Sequence, residues 1–209
     1  MMELLTHPLY LASVPLYVHL YASDRLVVDD VSPFVKQTYR NRAVIAAENG
    51  TLPLTIPVVH NGGRTAMRDV RISEHGNWRH QHWNAIVSAY RKSPFFEYYA
   101  DDFAHFYEER DGFLMDFNLR LHTVVGELLG LEKDVVFLSE GQCKTMDIID
   151  LRCIAEPKAL EDVAKTVSCP YYQVFVQRNG FIPSMSIVDL LFNMGPEGLL
   201  VLRDGLAVK

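Results

Sequence analysis

The sequence predicts an α/β protein, a single domain over residues 1–209 in which a mixed sheet opens with a β-α-β unit, carries a β-hairpin and supports a helical second half. Three observations lead there. Short apolar runs at Leu4 to Ala12 and Arg25 to Asp29 flank the helical segment Val14 to Ala22. The turn Glu48-Asn49-Gly50 separates two strand-like stretches. From Asn77 to Gly130, apolar residues recur every three or four positions, the spacing that puts them on one face of a helix. The β-rich part thus runs to about residue 75 and the helix-rich part from about residue 76.

Taken in order, the two opening runs read as buried strands, because strands covered on both faces are apolar along their length. Arg42 to Ala46 and Thr51 to Val58 form the hairpin around a glycine-containing turn. His60-Asn61-Gly62-Gly63 is a loop, and Met67 to Ile72 alternates as a further strand. Asn77 caps a helix in which Ala85, Trp78, Ala89, Ile86, Tyr90, Trp83 and Val87 make a broad apolar arc. His82 and Arg79 fall inside that arc, whereas His80, Asn84, Ser88 and Arg91 point away. Ser93-Pro94 reads as a cap followed by proline in the first turn, opening a second helix to about Tyr107. A third carries Leu114, Phe117, Leu121, Val124, Val125 and Leu128 on one face and stops at Gly130. Asp134 to Leu138 returns as a strand, and Ser186 to Phe192 is a short helix before the breaker Gly195-Pro196. The stretch from Ser139 to Cys169 has no readable pattern.

Composition narrows the functional classes. Hydrophobic residues make up 49% and charged residues 22%, as in an ordinary globular protein. No apolar run approaches the ~20 residues of a membrane span, and the start lacks the basic segment of a secretory signal, so a cytoplasmic protein is expected. Cys143, Cys153 and Cys169 are an odd number and too widely spaced for a CxxC pair, which fits free thiols in a reducing compartment. The net charge of −6 is unevenly spread. Arg25 to Lys92 carries ten basic against five acidic residues, and Ser93 to Lys209 ten against nineteen. A basic first half suits a small anionic substrate such as a nucleotide or phosphorylated sugar, or else the two halves pair with each other. Nucleic acid is not an expected partner, because no Lys/Arg cluster, RNP-type motif or zinc spacing is present.

Four ordered blocks carry a resemblance: KQTYRNR (Lys36 to Arg42), NGTLPLTIPV (Asn49 to Val58), HGNWRHQHWNAIVSAYRKSPFFEYY (His75 to Tyr99) and GFIPSMSIVDLLFNMGPE (Gly180 to Glu197). On these the chain resembles the WbqC-like protein family along nearly its whole length. Tyr10-Leu11-Ala12-Ser13-Val14 is similar to the family's Tyr-(Leu/Phe)-Pro-Ser-Ile stretch, with Pro15 where glutamine is common. The resemblance implies a place in bacterial surface-polysaccharide (O-antigen-type) biosynthesis. For one branch of the family it also implies a transferase role, with glycine as a candidate cargo.

Within these blocks Lys36, Arg40 and Arg42 offer three cations, with Asn41 as a neutral donor; if Tyr39 to Arg42 is extended, Arg40 and Arg42 share a face. Forked guanidinium donors suit phosphate or carboxylate, though basic residues also guard exposed strand edges. Asp29-Asp30 ends a strand, the edge where open α/β sheets bind ligands, and equally a common solvated turn. His7 on the first strand resembles the histidine that nucleotidyltransferases place near a phosphate, but His7-Pro8-Leu9-Tyr10 is not their HxGH motif and no KMSKS-like loop follows. The expected site is therefore His82, Asp29 and Asp30 for proton transfer, with Lys36, Arg40, Asn41, Arg42, Arg79 and His7 holding the anion. An alternative is a non-catalytic binding or scaffold protein of the same pathway, in which these groups form a structural network. No metal site is expected, since His80 and His82 diverge on a helix, and the sequence identifies no particular cofactor, with no P-loop, GxGxxG or GxSxG motif present. The aromatic series from Phe95 to Tyr107 suits core packing, a stacking site or a homo-oligomer interface.

Overall fold

The computed structural model describes residues 1–59, 63–110, 112–141, 147–167 and 170–206. Four strands lie parallel in the order β5-β2-β1-β6: β1 is Glu3–Thr6, β2 Arg25–Val28, β5 Asp134–Phe137 and β6 Ile148–Asp150. β1 and β2 occupy the centre, and their runs ELLT and RLVV are almost wholly buried, as a parallel sheet covered on both faces requires. Even Glu3 is buried, neutralised by the guanidinium of Arg25 directly across the ladder. Between them the helix α1, Val14–Ala22, makes the crossover expected from sequence.

The hairpin pairs β3, Arg42–Ala47, with β4, Gly50–Thr55, antiparallel, in a sheet of its own. The α/β class is as expected, with the two strand directions held in separate sheets. Tyr90 anchors the hairpin to the helices by accepting a 3.1 Å hydrogen bond from the Ala46 amide.

Helices α2 (Trp78–Tyr90), α3 (Phe96–Glu108) and α4 (Leu114–Leu129) come next in the chain. Then come α5 (Pro157–Ala164), α6 (Val176–Asn179), α7 (Ile187–Met194) and α8 (Gly198–Asp204). Gly130 terminates α4 in the left-handed conformation, φ 66°, that favours glycine. The most deeply packed helix is α7, buried from Ile187 to Asn193. Its Phe192 ring meets Tyr90, Phe96 and Phe103, each at about 5 Å between centroids and tilted or edge-on. Its Asp189 carboxylate accepts hydrogen bonds from Tyr171 Oη at 2.7 Å and Gln173 Nε2 at 2.9 Å, so a buried acid pins the otherwise irregular segment at 171–175.

Several elements depart from the sequence expectation. β1 ends at Thr6 rather than Ala12, because Pro8 has no amide to donate and Leu11 turns the chain with φ 41°. Met67 to Ile72 is not a strand. The amides of Met67 and Arg68 are drawn to the carbonyls of Ser32 and Asp30, closing a 3₁₀ turn, and only Arg71 and Ile72 pair as isolated bridges with Phe113 and Val58. Ser93 does not cap α3. The Phe95 amide is held by the Phe192 carbonyl at 3.0 Å, so helical geometry begins at Phe96 and the Ser93 hydroxyl is buried without a partner. Part of the loop 60–63, and Cys143 and Cys169, lie outside the described residues.

Phe192→Ala removes the ring on which three aromatic neighbours pack. It is expected to destabilise the protein by about 3–5 kcal/mol, read as a lower midpoint in urea unfolding at unchanged slope.

Candidate functional site

All four parallel strands end at one edge, and the register aligns the residues that lie just past their ends. Thr6 pairs with Val28 and Leu5 with Asp150, so His7, Asp29 and Arg152 emerge side by side beyond β1, β2 and β6. His7 and Arg152 border a cleft of about 620 Å³ lined also by Ser32, Pro33, Phe34, Val35, Arg40, Arg64, Cys153 and Glu156, and Asp29 is buried behind them.

Asp29 organises this edge. It is fully buried; Oδ1 accepts the Ser32 amide at 2.9 Å, and Oδ2 accepts the Ser32 hydroxyl at 2.7 Å and Arg152 Nη1 at 3.1 Å. Burial opposes its ionisation, but the bonds from Ser32 and Arg152 outweigh it and hold the carboxyl below its ordinary pKa. An ionised acid with both oxygens engaged positions its neighbours and is not a free base. Arg152 is gripped a second time by Asp150, at 2.7 Å from Nη2, and the two acids raise its pKa.

His7 Nδ1 lies 3.9 Å from Asp29 Oδ2 and has no hydrogen-bond partner. Burial and then the positive charge of Arg40 lower its pKa to about 4 against the opposing pull of Asp29, so the ring is neutral at pH 7. Arg40 is itself buried, 5% exposed, with Nη1 3.1 Å from Thr38 Oγ1 and 3.6 Å from Glu156 Oε1, while Nε has no partner. Arg64 is exposed at the rim, without an acidic partner among the described residues.

The remaining expected residues do not join this cleft. Asp30 is structural: Oδ1 accepts the Ser139 amide at 3.0 Å and Oδ2 faces Arg68 at 3.7 Å, tying two loops to β2. Asn41 donates to the Ile56 carbonyl at 2.8 Å and joins the ends of the hairpin. Lys36 is exposed beyond the lip. Arg42 and Arg40 do not share a face, since the chain turns before β3 and Arg42 Nε bonds Thr55 Oγ1 at 3.2 Å on the hairpin. Arg79 lies over Trp78 at 4.4 Å, donates to the Glu109 carbonyl at 2.7 Å and pairs with Glu74 at 3.3 Å. His82 is enclosed by Tyr10, Trp78 and Tyr107, with Nδ1 3.0 Å from Tyr10 Oη. The helical arc that carries it faces the core, so the ring lies in the aromatic layer and away from the cleft.

Arg152, Arg64, Ser32, Cys153 and Glu156 are not among the residues expected from sequence. A usable signal exists for Arg152, since Ile148-Ile149-Asp150 is a short apolar run ending in an acid, like Val27-Val28-Asp29. No cluster of potential metal ligands occurs among the described residues.

His7, His82 and His122 all have pKa values lowered to about 4, burial being the largest cause in each. In the unfolded chain each titrates near 6.5, so unfolding takes up protons below that value. Stability is therefore full above pH 6.5 and falls as the pH drops from 6.5 through 4, by up to about 3 kcal/mol for each ring. Urea unfolding at a series of pH values should show this decline, with a shallower one in His82→Phe.

The family model described as the WbqC-like protein family matches residues 8–159, a span that includes Asp29, Arg40, Arg152 and Cys153. The chain is 24% identical over 203 residues to "Uncharacterized protein Rv1507c" of Mycobacterium tuberculosis, covering 86% of this chain and 88% of that protein. No solved structure matches it significantly. Among the described residues, no helix is long and apolar enough to cross a membrane. With most of its length matched by the family model, the chain belongs to the WbqC-like protein family.

Proposed function

We propose that the cleft at the carboxyl edge of the parallel sheet binds the anionic part of an activated small molecule. In this reading the protein is a cytoplasmic transferase of bacterial surface-polysaccharide biosynthesis, acting as one domain on an activated sugar or an acyl or aminoacyl donor. The observation that carries it is the set of groups lining the cleft: the guanidinium side chains of Arg40, Arg64 and Arg152 meet there beside the ring of His7, at the edge where the parallel strands end. Cations grouped around one concave space favour an anionic ligand.

The charges give the site its preference. Arg40 and Arg64 border the cleft against Glu156 at its mouth, and Arg152, paired with Asp29 and Asp150, adds the donors those two acids leave over. Arg152 is held in a fixed orientation by two acids, which reduces the entropy lost on binding a phosphate or carboxylate. A neutral His7 adds a hydrogen-bonding ring in place of a further charge, and an anion beside it raises its pKa toward the physiological range, where it can exchange a proton. The scaffold alternative draws on the enclosed Arg79 and His82, but these lie in the aromatic layer and not at the cleft.

A thermal-shift screen of inorganic phosphate, pyrophosphate, nucleotide sugars and acyl phosphates tests this. A ligand at 100 times its dissociation constant adds about 2.7 kcal/mol of stability. The shift is expected to persist in Arg42→Ala and to be lost in Arg40→Ala and Arg152→Lys. No shift with any anion contradicts the proposal.

A further inference from the structure

Anion binding leaves one reactive group of the cleft unused. Cys153 is a free, exposed thiol that lines it. The thiol sits in the 3₁₀ turn Arg152–Ala155, directly after β6, and the adjacent Arg152 is fixed to Asp29 and Asp150. The same cleft is lined by Arg40, Arg64 and His7, with Arg40 and His7 each 5% exposed. A nucleophile thus shares one cleft with cations able to hold an anionic ligand. The lip formed by Pro33, Phe34 and Val35 is apolar, which suits a short acyl chain better than a hydroxyl-covered sugar.

We infer that Cys153 is the covalent acceptor of the site, taking an acyl group as a thioester from an acyl phosphate whose phosphate is held by Arg40, Arg152 and Arg64. The inference rests on the anion-binding reading above and selects the acyl donor from the classes named there. Cys153 first loses its thiol proton to solvent, to which it is exposed. Sulfur then bonds to the acyl carbon, the carbon–oxygen bond to phosphate breaks, and phosphate leaves with that electron pair. An amine or hydroxyl of the acceptor next attacks the thioester carbon and gives its proton to water. The carbon–sulfur bond breaks, and the sulfur recovers a proton from solvent. No oxidant, reductant or metal enters either step.

Two measurements on the full chain separate this inference from the reading beneath it. In the first, Cys153 is alkylated with anionic iodoacetate or neutral iodoacetamide and the site is located by peptide mass spectrometry. The iodoacetate to iodoacetamide rate ratio is expected to exceed that of the same chain unfolded in urea by about tenfold, and inorganic phosphate should abolish the excess. In the second, acetyl phosphate is expected to place one acetyl group on Cys153, removable by neutral hydroxylamine and missing in Cys153→Ala. An iodoacetate preference suppressed by phosphate, without acetyl on Cys153, overturns the covalent step and leaves the anion site standing. Absence of both the preference and the acetyl group overturns both.

Discussion

A buried carboxylate has to be satisfied, and Asp29 shows how much of the site depends on that one requirement. Left unpaired at the end of β2, it would cost several kcal/mol. Ser32 satisfies it from within its own chain segment by folding residues 29–32 into a tight turn, which throws Pro33, Phe34 and Val35 outward as the lip of the cleft. Arg152 satisfies it from across the sheet, and this bond brings the turn carrying Cys153 to the same edge. The parallel register then sets His7 beside the acid without any further device. Asp30 repeats the arrangement one residue on, gathering the loops at Arg68 and Ser139.

Away from that edge, charged and titratable groups serve the core. Tyr10 Oη meets both His82 Nδ1 and Tyr107 Oη, and Trp78 packs edge-on to His82 and Phe117, so one polar chain threads an aromatic layer linking the loop after β1 to α2, α3 and α4. Arg79 is spent in the same layer. The two sets differ in a way that chemistry can use. Arg79 and His82 are enclosed by aromatic rings and local acceptors, whereas His7 and Arg40 line the cleft at the sheet edge.

Elements are legible in the sequence to the extent that their causes are local. α1 and α4 are readable from local signals: a proline in the first turn of one, and apolar periodicity with a glycine beyond the last turn in the other. The hairpin is readable from Glu48-Asn49-Gly50 for the same reason. Met67 to Ile72 misleads because its alternation is real, but its amides bond to the loop at Asp30 and Ser32, a tertiary demand that overrides the pattern. Ser93 loses its capping role because the Phe95 amide bonds the carbonyl of Phe192, 97 positions further along the chain. Half of the site is visible in one dimension: His7, Asp29 and Arg40 stand out as strand ends and a basic block. Arg152 does not, because β6 has only Ile148, Ile149 and Asp150 to announce it, and its importance exists only once β6 lies beside β1. His82 and Arg79 attract too much weight because an apolar helical arc shows burial but not whether a buried polar group faces a cleft or a ring of aromatics.

Whether the parallel sheet's carboxyl edge receives an anion is tested most directly by locating an anomalous scatterer. Crystals soaked in tungstate, a tetrahedral oxyanion, should give an anomalous difference peak between His7, Arg40 and Arg152, at the end of β1 and β6. A peak confined to another basic surface, such as the groove bordered by Arg91 and Lys92, with nothing at the sheet edge, would contradict it.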